Sequence, residues 1–236
     1  ELGYGNGQDF TMSANSSGPL IKDKLFFRIQ GDYHKFERKI KNDALNKKAD
    51  FLTSKSARAR LIWEPTDNFS IDGRVNYDDL YSGAYYYNTA VDSNFIPIRD
   101  AARNRDLPIL SPVLTVAKRS LFQSDLVAEY KPDSGAVLRY VFSYQRLHEV
   151  YGIPGTGAGG NVALPGNLSM LPIQAIGNGQ TYLANGYTNE IRYISPSDKP
   201  FRYTFGVYDL QTTRHDTLPV FLAPNNYAQF LANAAA

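Results

Sequence analysis

The sequence predicts an all-β protein, a transmembrane antiparallel β-barrel, on three observations. Small or apolar residues alternate with polar ones without a slip from Phe69 to Asp78, and a strand points successive side chains to opposite faces. Similar segments recur along the chain, joined alternately by short turns and long loops. No apolar run approaches the roughly 18 residues of a membrane helix, whereas a barrel strand needs lipid-facing side chains only at alternate positions.

Eight strands are expected, each with apolar residues at alternate positions and polar residues between them. The second strand illustrates the pattern, because Leu25, Phe27 and Ile29 share one face while Arg28 and Gln30 share the other. In chain order the strands cover 8–15, 24–34, 56–63, 69–78, 120–130, 137–147, 187–195 and 201–213.

The connections between these strands are of two kinds. Short turns rich in Gly, Pro, Asn and Asp, the residues that favour turns, close the hairpins at 17–23, 64–68, 131–135 and 196–200. Long segments join one hairpin to the next over 35–54, 79–118 and 148–186. Soluble sandwiches usually turn at short intervals at both ends, whereas transmembrane barrels have short periplasmic turns and long extracellular loops.

Composition narrows the class further. The 236 residues include 17 Tyr but no Cys, and the net charge is only +2. The lack of Cys excludes disulfides and thiolate sites, and the balanced charge gives no reason to expect nucleic acid as a partner. The first residues lack the basic and apolar regions of a signal peptide, so we expect the chain to be a piece of a larger protein.

Aromatic residues near the strand ends predict two girdles at membrane interfaces. Phe69 and Tyr77 share the apolar face of one strand, and their spacing is about 26 Å along the strand and roughly 20 Å across a tilted one. That separation suits an apolar band between two girdles. Ordinary core aromatics of a soluble sheet are the alternative. The predicted interface aromatics are Tyr33, Trp63, Phe69, Tyr77, Tyr130 and Phe201.

Several segments resemble a known family. The segments 17–20 (Ser-Gly-Pro-Leu), 23–28 (Asp-Lys-Leu-Phe-Phe-Arg) and 57–68 resemble the early barrel of TonB-dependent outer-membrane receptors of the siderophore type, as does Gly-Asp-Tyr at 31–33. The segments 189–195 and 203–208 are similar to later strands of that barrel. The order and spacing of these matches extend over about residues 8–213.

This resemblance implies a 22-stranded barrel closed by an N-terminal plug domain, because so wide a lumen cannot be filled by side chains. The whole of 1–236 would be part of that barrel domain, about eight strands of it, with the plug domain and the C-terminal strands outside the chain. The receptor would lie in the outer membrane of a Gram-negative bacterium, surrounded by lipid, as a monomer. The TonB–ExbB–ExbD complex would act through the missing N-terminal region, where the TonB box lies.

The polar faces of the predicted strands would then line the lumen and contact the plug or one another. The residues carry charges of both signs, and we expect their role to be structural. The predicted lumen-facing or plug-facing residues are Arg28, Gln30, Asp32, Arg58, Arg60, Asp72, Arg74, Asn76, Asp78, Glu129, Arg139, Glu190 and Arg192.

A ligand-binding site is predicted in the long segment 79–118. An exposed cluster of Tyr side chains is costly unless it binds something, and nearby Arg side chains would attract an anionic chelate. Packing of this loop on itself is an equally open alternative. The basic residues of 38–41 and 47–48 are expected to face acidic lipid headgroups or sugars instead. The predicted ligand-binding residues are Tyr81, Tyr85, Tyr86, Tyr87, Arg99, Arg103 and Arg105.

No catalytic or metal site is expected. The Gly-rich segment 152–160 lacks the Lys-Ser/Thr ending of a phosphate-binding loop, and we expect it to be a flexible loop. His34, His148 and His215 do not have the spacing of protein metal ligands. No cofactor is therefore predicted, and iron would arrive only inside a chelated ligand.

The predicted function is active import of a ferric siderophore or a similar large, scarce nutrient, driven by TonB, with no enzymatic step. Cobalamin, haem and oligosaccharides stay open as ligands within the family. A passive outer-membrane porin or another barrel is the first alternative. A membrane-bound barrel enzyme would need a catalytic constellation that the sequence does not offer, and a soluble sugar-binding β-sandwich is the last alternative.

Overall fold

A computed structural model describes residues 1–37, 40–43, 45–83, 114–154, 177–221 and 229–230. Within these residues the backbone is nearly all antiparallel strand, and no helix there is long and apolar enough to cross a membrane. The strands are β1 (Leu2–Gly5), β2 (Asp9–Ile21), β3 (Leu25–Glu37), β4 (Lys41–Asn42), β5 (Lys47–Lys48), β6 (Phe51–Thr66), β7 (Phe69–Ser82), β8 (Val116–Tyr130), β9 (Val137–Pro154), β10 (Gly177–Ile194), β11 (Thr204–Thr217) and β12 (Val220–Phe221).

One large sheet contains all of these strands except β4 and β5, which pair with each other as a small hairpin. Its order is β1-β2-β3-β6-β7-β8-β9-β10-β11, with β12 also paired to β10. Successive long strands are therefore neighbours, as in an up-and-down barrel wall. Among the described strands, β1 and β11 lie at the two edges of this sheet. The predicted all-β, antiparallel fold class is confirmed.

The strands extend further toward the long connections than their alternation predicts. β9 continues to Pro154 and β10 already begins at Gly177, and β6 begins at Phe51, inside a stretch expected to lack strands. Ladder hydrogen bonds depend on the backbone and continue where the side chains no longer alternate. Alternation in the sequence reports only the part of a strand whose two faces meet different surroundings.

The first predicted turn is wrong. Gly18 and Pro19 were expected to belong to the turn at 17–23, but both lie in β2, and the chain reverses only at 22–24. Pro19 is accommodated because the register of β2 with β3 shifts between Pro19 and Ile21, and irregularities of this kind tolerate proline. Asp23 forms the turn with a positive φ of 57°, a conformation that Asp tolerates better than most residues.

The register sorts the side chains onto two faces, because directly opposite residues of an antiparallel pair point to the same side. One continuous cross-strand row joins Leu25, Trp63, Ile71, Ala128 and Tyr140. We call its side of the sheet the apolar face and the other side the polar face. The large exposed hydrophobic residues of the central strands lie on the apolar face, and they include Met12, Ile29, Leu61, Val75, Leu126 and Ile191.

Few hydrophobic residues of the described part of the chain are buried. The buried ones are Ala49, Val116, Ala136, Val150 and Phe221, near the ends of the strands. Neither face of the sheet is therefore covered over its middle by the described residues. An exposed apolar surface of this extent is typical of contact with lipid or with another protein.

Candidate functional site

The register places all thirteen residues of the predicted lumen-facing set on the polar face. A second cross-strand row shows this, since it joins Arg28, Arg60, Arg74, Asp125 and Ser143. The other members of the set occupy the neighbouring rows of the same face. The sequence thus predicted correctly which side chains share a face, while contact of that face with a lumen or a plug stays a prediction.

Asp72 is the centre of the strongest charge cluster on this face. Arg60 and Arg74 lie directly opposite each other in the β6–β7 register, an arrangement that is destabilising for two like charges. The carboxylate of Asp72 accepts two hydrogen bonds from Arg60, at 2.9 and 2.7 Å, and two from Arg74, at 3.2 and 2.5 Å. Such bidentate guanidinium–carboxylate pairs are the stronger class of protein hydrogen bond.

Arg58 holds a second cluster. Its guanidinium lies 3.7 Å from the carboxylate of Asp32 and 3.9 Å from that of Asp78, and it donates a hydrogen bond to Asn76 at 3.1 Å. Ser56 donates a hydrogen bond to Asp32 at 3.0 Å. These contacts join β3, β6 and β7 across the polar face.

Glu129 and Glu190 complete the network. Glu129 accepts hydrogen bonds from Arg139 at 2.8 and 2.6 Å and forms an ion pair with Lys131 at 2.8 Å. Glu190 forms an ion pair with Arg192 on its own strand. Charges of opposite sign therefore largely neutralise one another along the polar face. A side-chain network in which the polar groups are satisfied stabilises one arrangement of the side chains.

Open depressions lie on the polar face of the described residues. One, of about 390 Å³, lies over Arg28, Arg58, Arg60 and Arg74, and another, of about 270 Å³, lies over β8–β11. No group of three or more His, Asp or Glu side chains in the described residues could hold a metal ion. The depressions can accept polar side chains or an anionic group.

On the apolar face, aromatic residues form a row beside the short turns. Phe69, Tyr130, Tyr193 and Phe205 belong to one cross-strand row, with Leu138 between the two tyrosines. Trp63 on β6 is directly opposite Ile71, which is the next residue of the apolar face after Phe69. We call these five aromatic residues the lower aromatic row. Phe201, also predicted, lies just before β11, where its ring centroid is 5.6 Å from that of Tyr203.

A second set of aromatic residues lies on the same face toward the long connections. Tyr77 is directly opposite Phe122, and Tyr144 is directly opposite Tyr187. Tyr33 on β3 belongs to this set as well. We call these five residues the upper aromatic row.

The upper aromatic row runs at an angle to the cross-strand rows of the sheet, which follow the hydrogen bonds between strands. Leu25, Ile71 and Tyr140 share one cross-strand row, yet Tyr33 lies eight residues beyond Leu25, Tyr77 six beyond Ile71, and Tyr144 four beyond Tyr140. Strands that are tilted in a barrel wall are staggered against one another in this way. An interface plane that cuts tilted strands would give the upper row this slope, whereas the lower aromatic row follows one cross-strand row from Phe69 to Phe205.

Sequence reasoning missed half of the aromatic pattern. Phe122, Tyr144, Tyr187, Tyr193 and Phe205 were not among the predicted interface aromatics. Phe122 and Tyr144 have ring centroids 6.1 Å apart, although they are distant in sequence. These residues come together only because neighbouring strands pair in a particular register. Knowledge of that register would have been needed to identify them from the sequence.

The predicted ligand-binding residues fall mostly outside the described residues. Only Tyr81 is described, at the end of β7. Its ring lies 5.2 Å from that of Phe51, and the Lys118 amine lies 5.9 Å from its centroid. The prediction that Tyr81 binds ligand stays untested. The residues outside the described part are Tyr85, Tyr86, Tyr87, Arg99, Arg103 and Arg105.

Comparison with family models and with curated protein sequences gives no match, but several solved structures are similar. The crystal structure of the ferric yersiniabactin uptake receptor FyuA from Yersinia pestis superposes with a TM-score of 0.68 at 14% identity, over 92% of this chain and 30% of that one. A chain of the complex between FpvAI and a pyocin gives a TM-score of 0.66 at 13% identity, over 92% of this chain and 27% of that one. P. aeruginosa FpvA bound to a heterologous pyoverdine with iron gives a TM-score of 0.63 at 12% identity, over 93% of this chain and 28% of that one.

These likenesses show the fold and no more, because the identities are low. The chain has the antiparallel sheet of the barrel-type receptors to which it is similar. It spans less than a third of the length of those chains. One of these neighbours, FyuA, is named as an uptake receptor.

Proposed function

We propose that this chain forms part of the barrel wall of a TonB-dependent outer-membrane receptor that imports a ferric siderophore or a similar large, scarce nutrient. The observation that carries the proposal is the division of one sheet into two chemically different faces. The apolar face has an aromatic row at each margin, and the polar face carries the paired charges. A wall between lipid and a wet lumen requires this division.

In this proposal the polar face lines the lumen and contacts a plug domain supplied by the rest of the protein. Two features support that role. The charges on this face are mostly paired within it, which suits a polar wall beside a water-filled lumen. The depression over Arg28, Arg60 and Arg74 leaves room for a polar or acidic side chain of the plug.

The ligand class is proposed from two sources. The solved neighbours include a ferric yersiniabactin uptake receptor and FpvA bound to a pyoverdine with iron. The long segment after β7 is rich in Tyr and Arg, and aromatic rings and guanidinium groups suit a planar, anionic chelate. Iron is cargo within that chelate, and the proposal includes no resident cofactor.

The experiment that tests the proposal is uptake by cells that carry the full-length gene, with and without TonB. Radiolabelled ferric siderophores and cobalamin would be offered in parallel, and an empty-vector strain would give the background. We expect accumulation of one ligand only in the strain with TonB. Fractionation of the same cells should recover the protein with the outer membrane.

Two outcomes would contradict the proposal. Equal entry of the ligands in both strains would favour a passive porin, since the polar face would also suit an open channel. Recovery of the full-length protein in the soluble fraction would contradict the membrane location itself and favour a soluble sheet protein.

A further inference from the structure

Three arginines lie side by side on the polar face. Arg28 on β3 is directly opposite Arg60 on β6, which is directly opposite Arg74 on β7. Like charges directly opposite each other destabilise a sheet. Asp72 relieves the repulsion between Arg60 and Arg74, because its carboxylate accepts hydrogen bonds from both. The repulsion between Arg28 and Arg60 needs an anion of its own.

The described part of the sheet supplies no such anion to Arg28. The residue of β3 that lies level with Asp72 is Phe26, which carries no charge. On the other side, the residue of β2 directly opposite Arg28 is Ser17. Arg28 is exposed, and its side chain forms no hydrogen bond or ion pair with any other described residue. Within these residues Arg28 therefore presents an unpaired guanidinium beside a second cation.

The depression over these residues has the size and the charge to hold a small anion. Its volume of about 390 Å³ lies within the range of small-molecule pockets, roughly 300–1,000 Å³. Among the described residues its lining contains one carboxylate, that of Asp125, and four arginines, Arg28, Arg58, Arg60 and Arg74. A cleft lined mainly by one sign of charge raises the local concentration of ions of the opposite sign.

Arg58 can contribute to the binding of the same anion. It lies diagonally across from Arg28 in the β3–β6 register, and its side chain is 52% exposed. Its guanidinium is 3.7 Å from the carboxylate of Asp32 and 3.9 Å from that of Asp78. Charge-assisted hydrogen bonds are shorter, about 2.7–2.9 Å. An anion bound to Arg28 can therefore also contact Arg58 without breaking a short ion pair.

This depression is distant from the long connections. Arg28 lies near the beginning of β3, at the short-turn end of the sheet. On β7, Arg74 and Tyr81 lie near opposite ends of the strand, and their separation in sequence corresponds to about 23 Å along a strand. The depression is therefore separate from the ligand-binding site predicted in the segment 79–118.

We propose that Arg28, with Arg58 and Arg60, forms a binding site on the polar face for carboxylate groups of the imported ligand. This inference rests on the proposed function, because it requires the polar face to border the route of a solute. It narrows the substrate class to anions that carry carboxylates. A guanidinium presents a planar fork that matches the two oxygens of a carboxylate, as Asp72 shows in the same row. An acidic side chain of the plug would use the same groups, so the test separates the two sources.

The test uses the full-length protein purified in detergent and titrated calorimetrically with tricarballylate, a simple tricarboxylate. Its uncharged trimethyl ester is the control ligand. Arg28→Gln removes the unpaired guanidinium, and the matched control Arg202→Gln removes an exposed arginine before β11, outside the depression. We expect tricarballylate affinity to fall at least about tenfold in R28Q and less than about twofold in R202Q, because hydrogen bonds to charged groups are the stronger class.

A further variant tests the geometry of the site. Arg28→Lys keeps the positive charge but loses the fork, so we expect it to recover only part of the affinity lost in R28Q. Full affinity in R28K would contradict recognition by the fork. Heat-modifiable migration on gels verifies that each variant is folded.

Several results would overturn the inference. Unchanged affinity in R28Q would do so, as would an equal loss in R202Q or equal binding of the trimethyl ester. If the unaltered protein binds no tricarballylate while R28Q lowers its unfolding midpoint, Arg28 pairs with an acidic side chain of the plug instead. Uptake by cells is measured separately, so TonB-dependent import without tricarballylate binding would contradict this inference and leave the proposed function intact.

Discussion

Arg60 and Arg74 lie directly opposite each other on β6 and β7, and the carboxylate of Asp72 binds both of them. Two guanidinium groups in this position would repel each other, because like charges directly opposite in a sheet are destabilising. Asp72 removes that cost and adds charge-assisted hydrogen bonds between β6 and β7. The pairing of β6 and β7 at this level is therefore stabilised by Asp72, which lies diagonally across from Arg60.

The first prediction concerns this carboxylate. Asp72→Asn should lower the free energy of unfolding by about 1–2 kcal/mol, because both arginines lose a charged partner and then face each other. The measurement is thermal unfolding of the full-length protein in detergent, followed by circular dichroism. Asp67→Asn, in the exposed turn after β6, is the matched control and should leave the midpoint unchanged. Equal midpoints for the two variants would show that Asp72 is not a structural centre.

The sequence could predict which residues share the polar face but not how they pair. Alternation placed Arg60, Asp72 and Arg74 on one face, since a strand has a period of two. The contact between Arg60 and Asp72 depends on the β6–β7 register, which the turn at 67–68 sets. The sequence did not predict the turns to the exact residue. In the first hairpin, for example, the turn was predicted at 17–23, but the chain reverses only at 22–24.

The second prediction tests the assignment of the two faces. Leu126 lies on the apolar face, midway along β8 between Tyr130 and Phe122, and is 36% exposed. If the apolar face meets lipid, Leu126→Lys should lower the free energy of unfolding by about 2–4 kcal/mol, because a cation at the middle of a lipid-facing band is costly. Val127→Lys introduces the same charge at the next residue, on the polar face opposite Asp72, and should cost less than about 1 kcal/mol.

Refolding into lipid vesicles and denaturant titration would measure both values. Because the two residues are neighbours on β8, the comparison places the same charge on the two faces at the same level of the sheet. If Val127→Lys were the more harmful of the two, the lipid-facing and lumen-facing sides would have to be exchanged.

A third prediction concerns a close backbone approach at Gly206 in β11. A Cβ at this position would lie 2.7 Å from the carbonyl oxygen of Ile191 in the neighbouring strand. Gly206→Ala should therefore force β10 and β11 apart and cost about 1–3 kcal/mol. Gly73→Ala is the control, because a Cβ there meets only Leu126 and Leu61 atoms at 3.9–4.0 Å. Heat-modifiable migration on gels over a temperature series would measure the difference, and similar transition temperatures would contradict the close approach.

The aromatic rows show a second limit of the sequence. Tyr33 and Tyr77 could be assigned because each ends a clear alternation. Phe122, Tyr144 and Tyr187 could not, because their level on the sheet depends on the stagger of β8, β9 and β10. The stagger between strands follows from the tilt of all the strands in the sheet. It therefore cannot be read from any single short segment of the sequence.

The last prediction concerns the Tyr cluster in the segment after β7. If Tyr85, Tyr86 and Tyr87 contact the ligand, their replacement by Ser should weaken ligand affinity at least about tenfold, since each aromatic contact contributes about 0.5–1.5 kcal/mol. Replacement of the same three residues by Phe keeps the rings and removes the hydroxyl groups, so it separates stacking from hydrogen bonding. Tyr130→Ser, at the short-turn end of the apolar face, is the control and should leave affinity unchanged. Quenching of intrinsic fluorescence of the full-length protein by the ferric ligand identified in the uptake experiment measures these affinities. Unchanged affinity in the Ser variant would assign the cluster to packing of the loop on itself and would place recognition elsewhere on the protein.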